Sequence, residues 1–411
     1  MLRLRARVCC AVALALLNAS ALHAQATGGT SGTAPANPPA TQPAPAPSPL
    51  NFSGVLFGSY NSQRPTTPAQ LQGQVDNAFV IDRAYLTFRM PAGDRVGIRI
   101  TTDVFQTGND GYVVRAKYAY LQYDAPKKRN GAQLMGRLGI LQNVVIDHFE
   151  NFWPRYLSQS AIERAGYFSS ADAGIAGQLT LPNKLGELYA TIVNGPGYGA
   201  RERDRFKDFA ARLSLTPLAS SATLPPLLQN LTFTAWGYKG ATASRFVDVA
   251  AGQIAPIGDA LDRSRMGLFA GVRDPRLTLG LEYATRHDES EIGLNTAASP
   301  RDVNGATGHL MSGIGIVRPF AFINTSGTAP FGIVTRYDYV KPTASQSGVF
   351  VGQPPASSNA YHVLIAGMFF DLSQKAQLAL DYQESLASNN GVSLAPPAQT
   401  KTYFAHFVVN F

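Results

Sequence analysis

Basic side chains recur at alternate positions of this 411-residue chain, and alternate positions of an extended strand share one face. Arg83 and Arg89 stand with Tyr85 and Thr87 on one such face, opposite Ala84, Leu86 and Phe88. Arg95, Arg99, Arg115, Lys117, Arg137, Arg212, Arg265, Arg273, Arg276, Arg286 and Arg336 repeat the arrangement further along. The acids on these faces are fewer: Asp103, Asp208, Glu282, Asp338 and Asp381. Cationic side chains gathered around confined water raise the local anion concentration and repel cations. Catalysis has a weaker basis, because a nucleophile needs a base within reach. His148, His287, His309, His362 and His406 are scattered, and His148 beside Asp147 has no obvious serine partner. There is no His-x-x-x-His pair, so the sequence calls for no metal and no cofactor. The chemistry to expect is selection among solutes, not catalysis.

What must position these residues is a set of strands long enough to cross a bilayer. The last eleven residues, 401–411, place Tyr403, Ala405, Phe407, Val409 and Phe411 on one face. Thr402, His406 and Asn410 lie on the other, with Phe404 and Val408. A tilted strand of about 9–11 residues spans the hydrocarbon, apolar outward and polar inward. The leader supports export. Arg3, Arg5 and Arg7 precede an apolar run from Val8 to Leu17, and Ala24-Gln25-Ala26 forms a small-x-small cleavage site, so 1–26 reads as a signal peptide. Both cysteines, Cys9 and Cys10, fall within it, leaving the mature chain without thiols. Net charge is +8, three units less once the leader's arginines are gone, and no nucleic-acid module is recognisable. Residues 27–50 are uncharged and rich in Pro, Ala and Thr, a periplasmic linker that cannot build a core. No later stretch offers the roughly 18 consecutive apolar residues of a spanning helix.

From Asn51 the chain alternates with period two in about sixteen segments, an even number, as a closed antiparallel barrel with both ends on one side requires. The predicted strands include 51–61, 78–90, 95–106, 112–123 and 132–141, and they end with 375–384 and the terminal segment. Connections sort by parity. One set is mostly short (91–94, 124–131, 182–186, 274–275, 371–374), with 217–230 and 318–330 as longer members. The other is mostly long (62–77, 142–173, 195–205, 240–264, 288–308, 341–359, 385–400), and only the loop near Gly108 breaks the pattern. Short periplasmic turns and long extracellular loops are the asymmetry of an outer-membrane barrel. The fold class is therefore all-β, a transmembrane antiparallel β-barrel over 51–411. At this strand number an aqueous channel remains inside.

The longest connection, 142–173, carries Phe149, Phe152, Trp153, Tyr156, Tyr167 and Phe168 with Asp147, Glu150, Glu163, Asp172, Arg155 and Arg164. It is too apolar for disorder. It reads as a constriction loop folded into the lumen; folding over the mouth, or packing at a subunit contact, is the other option.

In this region the chain resembles the phosphate-selective (O/P type) porins. Met135-Gly-Arg-Leu-Gly-Ile140 is similar to the glycine-centred strand that precedes that family's constriction loop. Glu163-Arg164, Asp172-Ala-Gly174 with Gly177, Tyr189 and Asn194-Gly-Pro-Gly197 follow its order and approximate spacing. The resemblance implies a sixteen-stranded, usually trimeric outer-membrane channel for anions or small solutes. The dense arginine ladder and lysine cluster of the family's most selective members are not matched, since Lys117 is the only inward lysine and Lys127-Lys128-Arg129 sit on a turn. The expectation is passive diffusion of small hydrophilic solutes, leaning towards phosphate or other small anions, in the outer membrane of a two-membrane bacterium. Competing readings are a sugar channel lined by Tyr85, Phe105, Tyr123, Trp236 and Phe269, a plugged structural barrel, and a barrel-embedded enzyme.

Overall fold

The computed structural model describes residues 50–65, 77–107, 111–202, 204–248, 253–292, 302–324, 329–348, 360–387 and 400–411. The leader and nearly all of the linker lie outside the described residues. Sixteen strands form one closed antiparallel barrel, each paired to its neighbours in sequence. They are β1 (Asn51–Pro65), β2 (Asn77–Pro91), β3 (Val96–Thr107), β4 (Gly111–Asp124), β5 (Gln133–Gln142) and β6 (Ala171–Thr180). Next come β7 (Gly186–Val193), β8 (Asp208–Leu215), β9 (Thr232–Asp248), β10 (Gln253–Arg273) and β11 (Leu277–Ile292). The wall is completed by β12 (Asp302–Val317), β13 (Phe331–Gly348), β14 (Tyr361–Asp371), β15 (Ala376–Ala387) and β16 (Thr400–Asn410).

Closure is made by β16 lying against β1 in the register Val55↔Asn410 to Pro65↔Thr400. Gly54 and Phe411 then exchange both backbone hydrogen bonds, at 2.9 and 3.0 Å. Every strand is thereby hydrogen-bonded to a neighbour on both sides, the condition for a sheet in hydrocarbon. Burial is inverted relative to a water-soluble protein. Outward apolar side chains are bare, Val114 at 66%, Leu281 at 70% and Leu138 at 59% exposed. Charged groups such as Asp103, Lys117, Arg212 and Arg336 are buried on the inner side. An apolar belt of this extent demands an apolar solvent.

Three of the long loops predicted from sequence are shorter than expected. Strands β9 and β10 pair as far as Asp248↔Gln253, β11 and β12 as far as Ile292↔Asp302, and β12 and β13 as far as Asn304↔Gly348. Most residues assigned to 240–264, those at both ends of 288–308, and 341–348 of 341–359 thus continue the ladders. Pairing there satisfies backbone N–H and C=O groups, but no bilayer imposes apolar alternation, so the period fades from the sequence.

Register shifts interrupt four of the described strand pairs, and two of them bear on the lumen. One falls at Asp82, between the pairs Phe57↔Arg83 and Gly58↔Ile81, and the other at Lys117, between Thr101↔Tyr118 and Thr102↔Ala116. A bulge reverses which parity faces inward. Tyr118 and Tyr120 consequently point into the barrel and are buried, while Tyr123 lies outward and 46% exposed. The assignment of Tyr123 to the lumen is corrected by this shift.

Gly139 sits at φ +135°, and a Cβ there would come 2.1 Å from the Ala119 carbonyl oxygen across the β4–β5 pair. We expect Gly139→Ala to lower stability by about 1–3 kcal/mol, read as an earlier urea midpoint in detergent micelles, with an unchanged midpoint contradicting the close approach.

Candidate functional site

The connection from β5 to β6 lies against the inner wall. It carries two single-turn helices, Ile146–Phe149 and Ala161–Arg164. Phe149 and Phe152 pack on Phe269 of β10, ring centroids 4.9 and 4.7 Å apart. Arg155 reaches Tyr85 of β2 at 3.1 Å, on the opposite side of the sixteen-strand circuit. Tyr118 of β4 donates to Asp147 at 2.9 Å, and Gln383 of β15 donates to the Leu157 carbonyl at 2.9 Å. Contacts to β2, β4, β10 and β15 mean that the segment crosses the lumen. Its own shape is held by Arg155, which pairs with Glu150 and, at 2.6 Å, with Glu163. Trp153 is buried beneath the Arg336 guanidinium, 4.7 Å from its ring centroid. Arg164 remains exposed.

The basic residues singled out from sequence divide into distinct groups. Arg83 and Arg115 both pair with Asp103, at 3.1 and 3.3 Å. Arg212 pairs with Glu187, Arg265 with Asp288 at 3.0 Å, and Arg336 with Asp338 at 2.7 Å. Arg286 lies 3.9 Å from Asp288 and donates to the Ala165 carbonyl at 3.1 Å. Lys117 is buried over the Tyr85 ring, 4.0 Å from its centroid. Arg273 donates to the Asn151 carbonyl. Arg95 and Arg276 belong to turns: the strands begin at Val96 and Leu277, and both side chains are exposed at the barrel's end. Their assignment to the strand wall is corrected accordingly.

Arg89, Arg99 and Arg137 have no carboxylate partner among the described residues and lie close together on the wall, Arg99 and Arg137 sharing Tyr120. Arg89 of β2 stands directly opposite Arg99 of β3. Arg99 donates to Thr101 at 3.1 Å and packs over the Tyr118 ring, 4.7 Å from its centroid. Arg137 of β5 is held by Gln122 and Gln142 at 3.0 and 3.2 Å, with the Tyr120 ring beneath it at 5.1 Å. Hydroxyls, amides and aromatic faces hold Arg99 and Arg137 without cancelling their charge. Like charges directly opposite on neighbouring strands are destabilising, so the sequence bears a cost here that ion pairing avoids elsewhere in the wall.

Sequence reading missed two inward acids, Glu187 and Asp288, that neutralise arginines on neighbouring strands. Parity with Tyr189 and Glu282 could have found them. The aromatics proposed as a sugar slide are largely spoken for: Trp236 and Phe269 are buried, packed against Phe168 and the Phe149/Phe152 pair. Asp147 and His148 point to different walls, Asp147 to Tyr118 of β4 and His148 to Thr234 of β9 at 2.9 Å. Among the described residues no cluster of His, Cys, Asp or Glu is arranged to hold a metal.

Solved structures with a similar fold are outer-membrane proteins. Outer-membrane-expressed OmpT of Vibrio cholerae is 10% identical over 88% of this chain and 97% of its own, with a TM-score of 0.55. An anion-selective porin from Comamonas acidovorans is 9% identical over 88% and 99%, at 0.54. The outer membrane channel DcaP of Acinetobacter baumannii is 12% identical over 88% and 97%, at 0.53. No family model and no curated protein sequence matches the chain. The likeness is one of fold: a porin-type barrel.

His148 is enclosed by Phe149, Phe152 and Phe269. Burial, with Arg212 nearby, lowers its pKa from 6.5 to about 3. The released loop therefore binds a proton more readily than the seated one. Seating is fully stable above about pH 6.5 and loses stability as pH falls towards about 3. Protection factors for amide exchange of 146–153, corrected for the intrinsic pH dependence of exchange, should fall across that window, and His148→Gln should flatten the fall; an equal fall in both proteins would refute this account.

Proposed function

We propose that the chain is an outer-membrane porin that passes small hydrophilic solutes by passive diffusion and favours anions. The observation that carries this is the group Arg89, Arg99 and Arg137, cationic and without carboxylates, on the inner wall of a closed barrel. Residues 142–173 act as the constriction loop. Its acids Glu150 and Glu163 are taken up by Arg155, which leaves the basic side of the passage dominant. Water beside uncompensated guanidiniums is enriched in anions. Phosphate is one candidate solute within a general anion preference.

The protein resides in the outer membrane of a two-membrane bacterium, after export under the signal 1–26 and with 27–50 as a periplasmic linker. The bare apolar belt and the similarity to solved outer-membrane barrels support this placement. A homotrimer is the proposed assembly; one similar structure, of Vibrio cholerae OmpT, is described as a trimer form. The likeness to an anion-selective porin agrees in direction with the arginine group. No catalytic role is proposed.

Replacing Arg89, Arg99 and Arg137 together by glutamate should turn the channel from anion-favouring to cation-favouring in planar bilayers. Reversing only Arg99 and Arg137 should move it part of the way. Permeability ratios unchanged from those of the parent would remove these residues from the conducting path.

A further inference from the structure

Three of the five histidines beyond the leader face outward, on consecutive stretches of one part of the wall. His287 is on β11, His309 on β12 and His362 on β14. Lys341 of β13 stands in register with His309, and Tyr339 of β13 with His362. Thr285, one outward position below His287, is in register with His309. Imidazole, imidazole, ammonium and imidazole thus step diagonally across four adjacent strands. None of the four is needed to close the barrel or to line its lumen.

The row lies at a definite height. Lys341 is ten residues from the start of β13, and His362 nine from the end of β14. At about 3.3 Å per residue and a tilt of about 40°, that is roughly 25 Å above the short-turn end. An outward apolar band is about 25 Å tall, so the row sits at its extracellular edge, where headgroups begin. Below it the outward face is apolar, with Met311, Met368 and Leu281 exposed.

All three imidazoles are oriented in the same way. Nδ1 of His287 contacts the Thr307 hydroxyl at 2.9 Å, Nδ1 of His309 the Tyr283 hydroxyl at 3.2 Å, and Nδ1 of His362 meets the Tyr337 hydroxyl. A hydroxyl donating to Nδ1 fixes the tautomer that carries its proton on Nε2. Nε2 has no partner among the described residues in any of the three. Tyr283 and Tyr337 also stack against their histidines, at interplanar angles of 18° and 30°. When those hydroxyls donate to Nδ1, the row presents Nε2–H donors around one ammonium, two of its rings braced by Tyr283 and Tyr337.

We propose that this row binds the phosphate of a phosphorylated lipid in the extracellular leaflet, its acyl chains lying on the apolar face below. A phosphate oxygen accepts from Nε2–H and from ammonium groups alike, and a charged acceptor strengthens each bond. The donors open onto the outer surface at headgroup height, so lipid and not a solute in the lumen is the occupant. The inference assumes the membrane placement above but not the channel's selectivity.

Native mass spectrometry of the detergent-solubilised protein tests it, with dioleoyl phosphatidic acid, dioleoylglycerol and inorganic phosphate as probes. The parent should retain phosphatidic acid about tenfold better than dioleoylglycerol, equivalent to about 1.4 kcal/mol. Replacing His287, His309 and His362 by Phe and Lys341 by Met should abolish that preference. Bilayer conductance of the same variant should match the parent's, which certifies folding and keeps the test separate from solute selectivity. If that variant does not insert, the single Lys341→Met and His309→Phe proteins must each lose part of the preference. Equal retention of the two lipids by the parent, an unchanged preference in the variants, or displacement of phosphatidic acid by millimolar inorganic phosphate would each overturn the proposal.

Discussion

Hydrocarbon on one side of a one-layer wall and water on the other is the constraint from which the rest of this structure follows. An arginine facing lipid costs about 2–4 kcal/mol near the midplane, so every strand must send its charges to the same side. The wall shows this with Leu138 out and Arg137 in, Leu281 out and Glu282 in. Crowding charges onto one surface creates a second problem. A buried charge without a partner is costly, and breaking such a pair destabilises by about 3–5 kcal/mol. Pairs such as Arg336 with Asp338, and the trio of Arg83, Arg115 and Asp103, resolve it locally.

The loop inside the barrel uses the charges that remain. Arg336 supports Trp153 and donates to Ser158 and the Gln159 carbonyl, and Arg286 donates to the Ala165 carbonyl. Aromatic side chains fill the space between: Phe152 against Phe269, Phe168 against Trp236. One side of the barrel is thereby filled with loop. On β3 and β5, Arg99 and Arg137 are held by neutral groups instead. The arginines thus divide into those paired with acids of the wall, as in Arg212 with Glu187 and Arg265 with Asp288, and those held by neutral groups.

Much of this was legible because period two and the number of strands are written into side-chain alternation. The strands 78–90 and 132–141 are placed within a residue of β2 and β5. Bulges were not legible. Lys117 shares the parity of Arg115 and looks like one more lumen residue, yet it is the point where the parity turns over, and Tyr123 went to the wrong face with it. Ion pairs between strands were hidden for a related reason. Arg212 and Glu187 meet only because β7 and β8 run in the register Tyr189↔Arg212, and register depends on the turn as much as on the strands. Ladders above the bilayer left little trace, since water on both faces asks nothing of alternate side chains.

Beyond Cys9 and Cys10 the sequence contains no cysteine, so single cysteines introduced into the barrel give a direct test of which face meets water. Cysteines at Arg99 and Arg137 should react with a small, charged, membrane-impermeant thiol reagent in reconstituted vesicles, and cysteines at Leu138 and Leu281 should not. The opposite pattern, or equal labelling at all four positions, would contradict the partition of side chains on which the account rests.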